Sequence, residues 1–219
     1  MCGRFSITTP WEEIRQRFEI DFPEEAYEPR YNAAPSQDML VVPQESPHKG
    51  EFYHWGLIPH WAKDAKIGNH MINARAETIT EKPSFRVPFK NHRCLVLADG
   101  FYEWDRKSDR RVPYRIILKG EKPFAFAGLY DYWQDAKGKV IRSFTIITTQ
   151  ANSLITDIHD RMPVILSRED EAKWLEAELD PKKAIEMLKG YPAGEMDMYP
   201  VSSLVNNPRN DVESVLKPA

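Results

Sequence analysis

The 219-residue sequence contains no run of apolar residues long enough to cross a bilayer. It also lacks a signal-peptide pattern, because no apolar stretch follows the early positive charge of Arg4. These two absences predict a cytoplasmic protein that does not enter membranes. Apolar residues make up 42% of the chain, which is ordinary for a globular protein and sufficient for a sizeable core.

Cysteine is scarce, since only Cys2 and Cys94 occur. Two cysteines are too few for a disulfide scaffold, and reduced thiols are therefore expected. No Cys-x-x-Cys pair and no paired histidine motif is present, and the six histidines are scattered. The sequence therefore predicts neither a metal site nor another cofactor.

An excess of positive charge is also missing, because 30 basic and 33 acidic residues give a net charge of −3. Nucleic-acid binding then requires basic side chains gathered in one cleft, with the acids elsewhere. The acidic segment 170–178 is predicted to lie on a solvated helix face. No Gly-rich phosphate loop, Gly-x-Ser-x-Gly elbow or His-Glu-x-x-His motif occurs, which disfavours the hydrolase classes that use them.

Seventeen prolines spread along the chain indicate many turns and argue against a helical bundle. Helices are predicted at residues 10–18 with Thr9 as the cap, at 167–179, and from Pro181 until Gly190 stops the helix. Strands are predicted at residues 39–42, 94–98, 114–118, 124–129 and 140–149. Strands joined by turns, with few helices between them, favour one compact, mostly antiparallel α+β domain.

Cys2 is the most informative candidate for chemistry. If the initiator Met1 is removed, Cys2 carries an α-amine (pKa near ~8) and a thiol (near ~8.5) on adjacent carbons. Such an aminothiol condenses with an aldehyde: the amine forms an imine, and the thiol closes a five-membered thiazolidine. The alternative is a small residue at a frayed terminus.

Glu103 and His159 are candidates for proton transfer. Glu103 lies among the aromatic residues of segment 100–104, and burial there would raise its pKa and suit it to acid–base catalysis. The alternative is an exposed carboxylate at a strand end. His159 lies in a loop before a strand and can shuttle protons, or it is a satisfied structural residue.

A second group of residues is typical of nucleic-acid contacts. Asn73 can orient a polar group and Arg75 can hold a phosphate, unless the pair simply starts a helix with Asn73 as its cap. Trp55 and Trp61 flank a loop with Gly and Pro and can stack on bases, or they belong to the core. Further basic candidates are Arg4, Arg86 and Arg161.

Taken together, these motifs resemble the SRAP family (SOS-response-associated peptidase), bacterial and eukaryotic proteins that crosslink to abasic sites in single-stranded DNA. The resemblance runs from residue 1 to about 205. Asp105 departs from it, since a basic residue is expected after the Glu-Trp pair. The matching segments are residues 1–5, 30–35, 55–59 with Trp61, 73–78, 100–104 and 159–163.

The resemblance implies an α+β fold: a single domain over residues 1–219, with a core at 2–205, built around curved, mostly antiparallel strands with peripheral helices. It implies that Cys2 is the crosslinking nucleophile and that Asn73 positions its amine or the opened sugar. It also implies that Glu103 opens the deoxyribose ring by acid–base catalysis, and that His159 stabilises the sugar oxygen and assists reversal.

The implied partner is single-stranded DNA with an abasic site. A monomer is the default expectation, without cofactor or metal, and the protein is expected to be cytoplasmic and nucleoid-associated when on DNA. The implied DNA contacts are Arg4, Asn32, Pro35, Trp55, Trp61, Arg75, Arg86 and Arg161. Two alternatives remain open. One is a cysteine peptidase that uses Cys2 as an N-terminal nucleophile and cleaves off Met1 itself, and the other is a non-catalytic module that binds single-stranded DNA.

Overall fold

The structure is a computed structural model that describes residues 2–107 and 111–219. The strands in these residues are β1 Phe5–Ile7, β2 Arg30–Ala33, β3 Asp38–Pro43, β4 Glu51–Trp55, β5 Asn73–Arg75, β6 Arg93–Ala98, β7 Gly100–Trp104, β8 Pro113–Leu118, β9 Phe124–Gln134, β10 Val140–Gln150, β11 Arg161–Pro163 and β12 Met196–Pro200. The α-helices are α1 Trp11–Phe18, α2 Pro83–Asn91, α3 Arg168–Trp174 and α4 Pro181–Met187.

Five strands form an antiparallel sheet in the order β12-β8-β7-β1-β2. In its centre Phe5 of β1 lies opposite Phe101 of β7. The backbone N–H of Tyr102 continues this pairing by donating to the carbonyl of Arg4 at 3.0 Å. The chain before Phe5 therefore runs beside the end of β7, which brings Cys2 towards Glu103.

The remaining strands form a second sheet in the order β11-β10-β4-β3-β6-β9, with β5 paired on β10. Strand β9 pairs with both β6 and β10, so the path closes on itself like a barrel. Most pairs are antiparallel, but β4 and β5 run parallel to β10. The predicted class, a compact α+β domain of mostly antiparallel strands, is confirmed.

Aromatic side chains join the two sheets. Phe5 lies with its ring centroid 5.0 Å from that of Trp55 and 5.8 Å from that of Phe126. Phe101, the partner of Phe5, lies 6.0 Å from Phe126. All four rings are fully buried, and burying a side chain of this size contributes about 1.5–3 kcal/mol. The β1–β7 pair is therefore fixed against the second sheet.

The five predicted strands are all present, and β9 continues beyond its predicted end to Gln134. The first predicted helix is confirmed as α1, but Thr9 is not its cap. Pro10 occupies the cap position, and the Thr9 hydroxyl donates to Asp99 at 3.2 Å. A carboxylate that is already buried beside this segment competes successfully for that hydroxyl.

Of the two late helices, the first is shorter than predicted and the second lies within its predicted limits. Ser167 caps α3 by accepting from the backbone N–H of Asp170 at 3.2 Å, and the helix ends at Trp174. Helix α4 begins at Pro181 and ends before Gly190. The predicted solvated acidic face is wrong at Glu171, which is buried because Arg17 binds both of its oxygens at 2.8 and 2.9 Å.

Both cysteines are free and buried. Within residues 2–107 and 111–219, no helix is long and apolar enough to cross a membrane. In the same ranges, no cluster of three or more His, Cys, Asp or Glu side chains is arranged to hold a metal ion.

Gly128 is expected to be essential for packing in β9, because a Cβ there would lie 2.8 Å from both Cys94 Sγ and Val96 Cγ2. We predict that Gly128→Ala lowers the free energy of unfolding by about 1–3 kcal/mol through overpacking. Urea unfolding measures this change. Gly194→Ala is the control, since its Cβ would meet nothing within 4 Å. Equal stability of the two variants would contradict the packing argument.

Candidate active site

Cys2 is fully buried at the start of the chain, with its Sγ atom 4.0 Å from the carbonyl oxygen of Arg4. Burial raises the pKa of the Cys2 thiol far above its usual range, and the negative charge of Glu103 adds to the rise. The thiol is therefore protonated at neutral pH. Its reaction as a nucleophile requires a base nearby.

Glu103, carried by β7 and only 2% exposed, is the carboxyl group whose charge acts on Cys2. Its Oε2 atom lies 3.9 Å from Nε2 of His159, which is 3% exposed. Burial raises the pKa of the Glu103 carboxyl, since the charged form loses its solvation. The alternative of an exposed strand-end carboxylate is therefore wrong.

His159 presents a neutral ring to Glu103. The backbone N–H of Arg161 donates to Nδ1 at 2.9 Å. Nδ1 also lies 3.1 Å from the Arg161 carbonyl oxygen and 3.1 Å from Asp160 Oδ1, while Nε2 faces Glu103. Burial lowers the pKa of His159 to about 4, and the positive charge of Arg106 acts in the same direction. At neutral pH the His159 ring is thus uncharged.

Asn73 lies in β5, where it is paired with Ile146 of β10. Its Nδ2 donates to the carbonyl of Ile72 at 3.0 Å, whereas its buried Oδ1 has no hydrogen-bond partner within the described part of the chain. A buried acceptor without a donor is costly, so this atom is suited to a donor on a ligand or on a reacting group. The alternative of a helix cap is wrong, because Asn73 is a strand residue.

Strand β10 organises the rest of the site, because β5 and β11 pair on either side of Thr148. Arg161 of β11 is buried and binds both carboxylate oxygens of Glu77 at 2.6 and 3.0 Å. It also donates to the Thr148 carbonyl at 2.6 Å. The Arg161–Glu77 ion pair joins the turn after Asn73 to the turn that carries His159. Arg161 is therefore occupied inside the protein, and the structure does not place it as a phosphate contact.

The two tryptophans predicted to stack on bases differ in exposure. Trp55 is fully buried and stacks on Phe144, with ring centroids 6.2 Å apart. It has no surface for a base, so the prediction that it stacks on DNA is not supported and the core alternative holds. Trp61, in the loop after β4, is 50% exposed. Pro35 is half-buried in the turn between β2 and β3.

The remaining residues predicted to contact DNA also differ in exposure. Arg75 follows Asn73 and is exposed, and Arg86 is exposed on α2. Arg4 is half-buried, with its guanidinium 5.9 Å from the ring of Trp104, and burial lowers its pKa. Asn32 is fully buried, and its side chain bonds within the protein, so it does not offer a DNA contact.

Sequence reasoning missed Arg106. This exposed residue follows β7, and its backbone N–H donates to the carbonyl of Ile158 at 3.3 Å. Burial is the largest influence on Glu103 and His159, but the charge of Arg106 also lowers the pKa of both groups. A signal was available: Arg106 follows Asp105 directly, so the positive charge expected at that position is displaced by one residue.

Comparison with known proteins identifies the family. The model of the family described as SOS response associated peptidase (SRAP) matches residues 1–208. The abasic site processing protein YoqW of Bacillus subtilis is 48% identical over 222 residues, which are 99% of each chain. The abasic site processing protein HMCES of the mouse is 32% identical over 280 residues, covering 100% of this chain and 76% of that protein.

This chain belongs to the SRAP family. The resemblance read from its motifs is thereby confirmed. A crystal structure of a Bacteroides thetaiotaomicron protein has the same fold, with a TM-score of 0.92 and 31% identity, and the two chains cover each other completely. A second crystal structure, of a Bordetella bronchiseptica protein, has a TM-score of 0.80 at 26% identity and covers 92% of this SRAP chain.

The lowered pKa of His159 makes stability depend on pH. Between its ordinary value of 6.5 and about 4, the unfolded chain takes up a proton that the native ring does not. Stability from this group is therefore complete above pH 6.5 and is lost as the pH falls. We predict that wild type loses on the order of 2 kcal/mol from this source by pH 4.5.

Urea unfolding of His159→Gln at pH 7 and at pH 4.5 tests this prediction. We expect the loss between the two pH values to be smaller than in wild type by that amount. His70→Gln is the control, because His70 is exposed and should leave the wild-type loss unchanged. If His159→Gln lost as much stability between pH 7 and pH 4.5 as wild type does, the buried ring would not be the source of the pH dependence.

Proposed function

We propose that this protein processes abasic sites in single-stranded DNA and that Cys2 captures the lesion as a thiazolidine crosslink. The relatives named abasic site processing proteins support the first part. The observation that carries the second part is the burial of Cys2 beside the Glu103–His159 pair. These three side chains supply a nucleophile, a proton acceptor and a neutral imidazole within one site.

Ring opening comes first, because an abasic sugar is mostly a closed hemiacetal. In the proposed step, the Glu103 carboxylate takes the proton of the C1′ hydroxyl and delivers it to O4′ as the C1′–O4′ bond breaks, while the neutral His159 ring lies beside Glu103. The raised pKa of Glu103 moves it towards neutrality, where a group can both accept and return a proton. The product is the open aldehyde.

Capture then follows in two balanced steps. The α-amine of Cys2, freed by removal of Met1, adds to the aldehyde carbon. The resulting hydroxyl leaves as water with a proton returned by Glu103, which gives an imine. The thiol then adds to the imine carbon and its proton passes through Glu103 to the nitrogen, so one water is released overall. The Asn73 Oδ1 is suited to accept from the amine and to direct its lone pair.

The DNA groove of this proposal uses the residues that the fold leaves accessible. Arg75 and Arg86 are exposed for phosphates, and Trp61 offers half of its surface for stacking on a base. Stacking on one aromatic face favours unpaired bases and is indifferent to their sequence. This supports a single strand as the substrate.

The peptidase alternative is the weaker one. Cysteine nucleophiles that attack amides first have depressed thiol pKa values, whereas burial raises the pKa of Cys2. In crosslinking the amine attacks first and the thiol adds to an already reactive imine. We retain self-cleavage of Met1 as a preparatory step in the proposed site.

A denaturing gel with an oligonucleotide that carries one abasic site tests the function. We predict that the Met1-processed protein forms a stable adduct without added reductant, because the thiol closes the ring. Cys2→Ala keeps the amine but lacks the thiol, so its adduct should appear only after borohydride reduction of the imine. Cys94→Ala is the matched control and should react like wild type, and an intact oligonucleotide should give no adduct.

If the wild-type protein forms no adduct although mass spectrometry confirms loss of Met1, the crosslinking function is wrong. If Cys2→Ala forms the same reductant-independent adduct as wild type, another residue is the nucleophile.

The different placements of Arg75 and Arg161 give a separate prediction. Arg75→Gln should make the dependence of log affinity on log salt shallower by about 0.7, the value for one phosphate contact on single strands, and should leave stability unchanged. Arg161→Gln should instead lower the free energy of unfolding by about 1–3 kcal/mol, because Glu77 and Thr148 lose their partner, and leave the salt slope unchanged. Fluorescence anisotropy and urea unfolding measure both. The reverse pattern would return Arg161 to the DNA surface.

A further inference from the structure

The C-terminal segment 201–216, here called the C-terminal strap, crosses the sheet beside the N-terminal strands. Val205 and Val215 are fully buried and pack with Tyr102 of β7 in a small second core. The Trp104 indole donates to Asn206 Oδ1 at 2.6 Å. The strap therefore covers the strand that carries Glu103, at the end where Arg4 lies.

Asn32 joins the strap to β2. Its Nδ2 donates to the carbonyl oxygens of Val205, Asn207 and Asn210 at 3.2, 3.1 and 3.0 Å. Its Oδ1 accepts from Arg4 Nη1 at 2.9 Å. Every polar atom of this fully buried amide is thus used inside the protein. Asn32 acts between the strap and Arg4 and does not reach solvent.

Asp211 fixes the backbone that carries Asn32. Its Oδ1 accepts from the backbone N–H groups of Tyr31 and Asn32 at 2.6 and 2.8 Å. Its Oδ2 lies 2.6 Å from Arg30 Nε in an ion pair. Charge-assisted hydrogen bonds of this kind are the stronger ones, so Asp211 determines where β2 and its Asn32 side chain lie.

These contacts orient Arg4. Both protons of its Nη1 are engaged, one by Asn32 Oδ1 at 2.9 Å and one by the Val205 carbonyl at 2.8 Å. The Arg4 side chain makes no other hydrogen bond within the described residues. The Nε–Nη2 edge of the guanidinium is therefore available, and that edge matches the two oxygens of a phosphate.

We propose that the C-terminal strap is a positioning element for DNA, and that Asp211 acts through Asn32 and Val205 to hold the Nε–Nη2 edge of Arg4 ready for a backbone phosphate. The proposal rests on the proposed function, in which DNA is the substrate. Holding the guanidinium in advance removes the cost of ordering it on binding. Asp211 lies beyond residue 208, where the match to the family model ends.

Asp211→Ala tests the proposal, with Glu213→Ala as the matched control. Glu213 is an exposed acid of the same segment whose carboxylate makes no hydrogen bond or ion pair in the described residues. Adduct formation is followed at increasing concentrations of the abasic oligonucleotide. We expect Asp211→Ala to raise the half-saturating concentration about three- to tenfold while the rate at saturation stays within twofold of wild type. Glu213→Ala should behave as wild type.

The salt dependence of binding to an intact oligonucleotide gives a readout that needs no lesion chemistry. We expect a slope shallower by about 0.7 in Asp211→Ala, as in Arg4→Gln, and no further change when the two are combined. Asp211→Asn keeps an acceptor for the two backbone N–H groups and should lie between wild type and Asp211→Ala. Asp211→Asn is used in place of Asp211→Ala if circular dichroism shows that Asp211→Ala is unfolded.

The outcomes separate the two proposals. No adduct with wild type, together with normal oligonucleotide binding and a shallower slope in Asp211→Ala, overturns the crosslinking function and supports the strap. An adduct with wild type, together with half-saturation and salt slope unchanged in Asp211→Ala or Asp211→Asn, overturns the strap proposal alone. The strap proposal is also overturned if the effects of Asp211→Ala and Arg4→Gln are additive. It is likewise overturned if wild type does not bind DNA.

Discussion

The register of β1 on β7 is the constraint on which the candidate site depends. Asp99 fixes it from inside: its buried carboxylate accepts from Ser6 Oγ at 2.6 Å and from the backbone N–H of Thr9 at 2.9 Å, and Arg115 lies 3.3 Å away. Gly100 is required beside this network, since a Cβ there would lie 2.8 Å from Arg115 Nε. A slip of one residue would exchange the faces of β1 and carry Cys2 away from Glu103.

Burial gives the three central groups their chemical character. The same dry surroundings raise the pKa of Cys2 and of Glu103 and lower that of His159, so that all three favour the neutral form. The charge of Arg106 opposes the effect of burial on the pKa of Glu103 and adds to it for His159.

Three residues predicted to contact DNA are buried, and the prediction failed for the same reason at each. Trp55, Asn32 and Arg161 stand in motifs next to exposed or reactive residues, and adjacency in the chain does not reveal which side of a strand faces the core. Trp55 packs between the sheets, while Asn32 and Arg161 satisfy groups far along the chain, including the Val205 carbonyl and Glu77. The proposed roles of these two are to hold Arg4 and the His159 turn in place.

The order of residues along the chain was sufficient to predict a candidate nucleophile at Cys2, a carboxyl set among aromatic residues, and an α+β class from strand and turn patterns. These depend on residue type and on short-range periodicity, which the chain displays directly. The folded chain alone brings these groups together, because β5 and β11 reach β10 through pairings between distant segments. It also decided the burial that shifts each pKa and the 173-residue separation over which Asn32 binds the strap. Solvation and long-range hydrogen bonding are properties of the whole packed chain, so no local pattern encodes them.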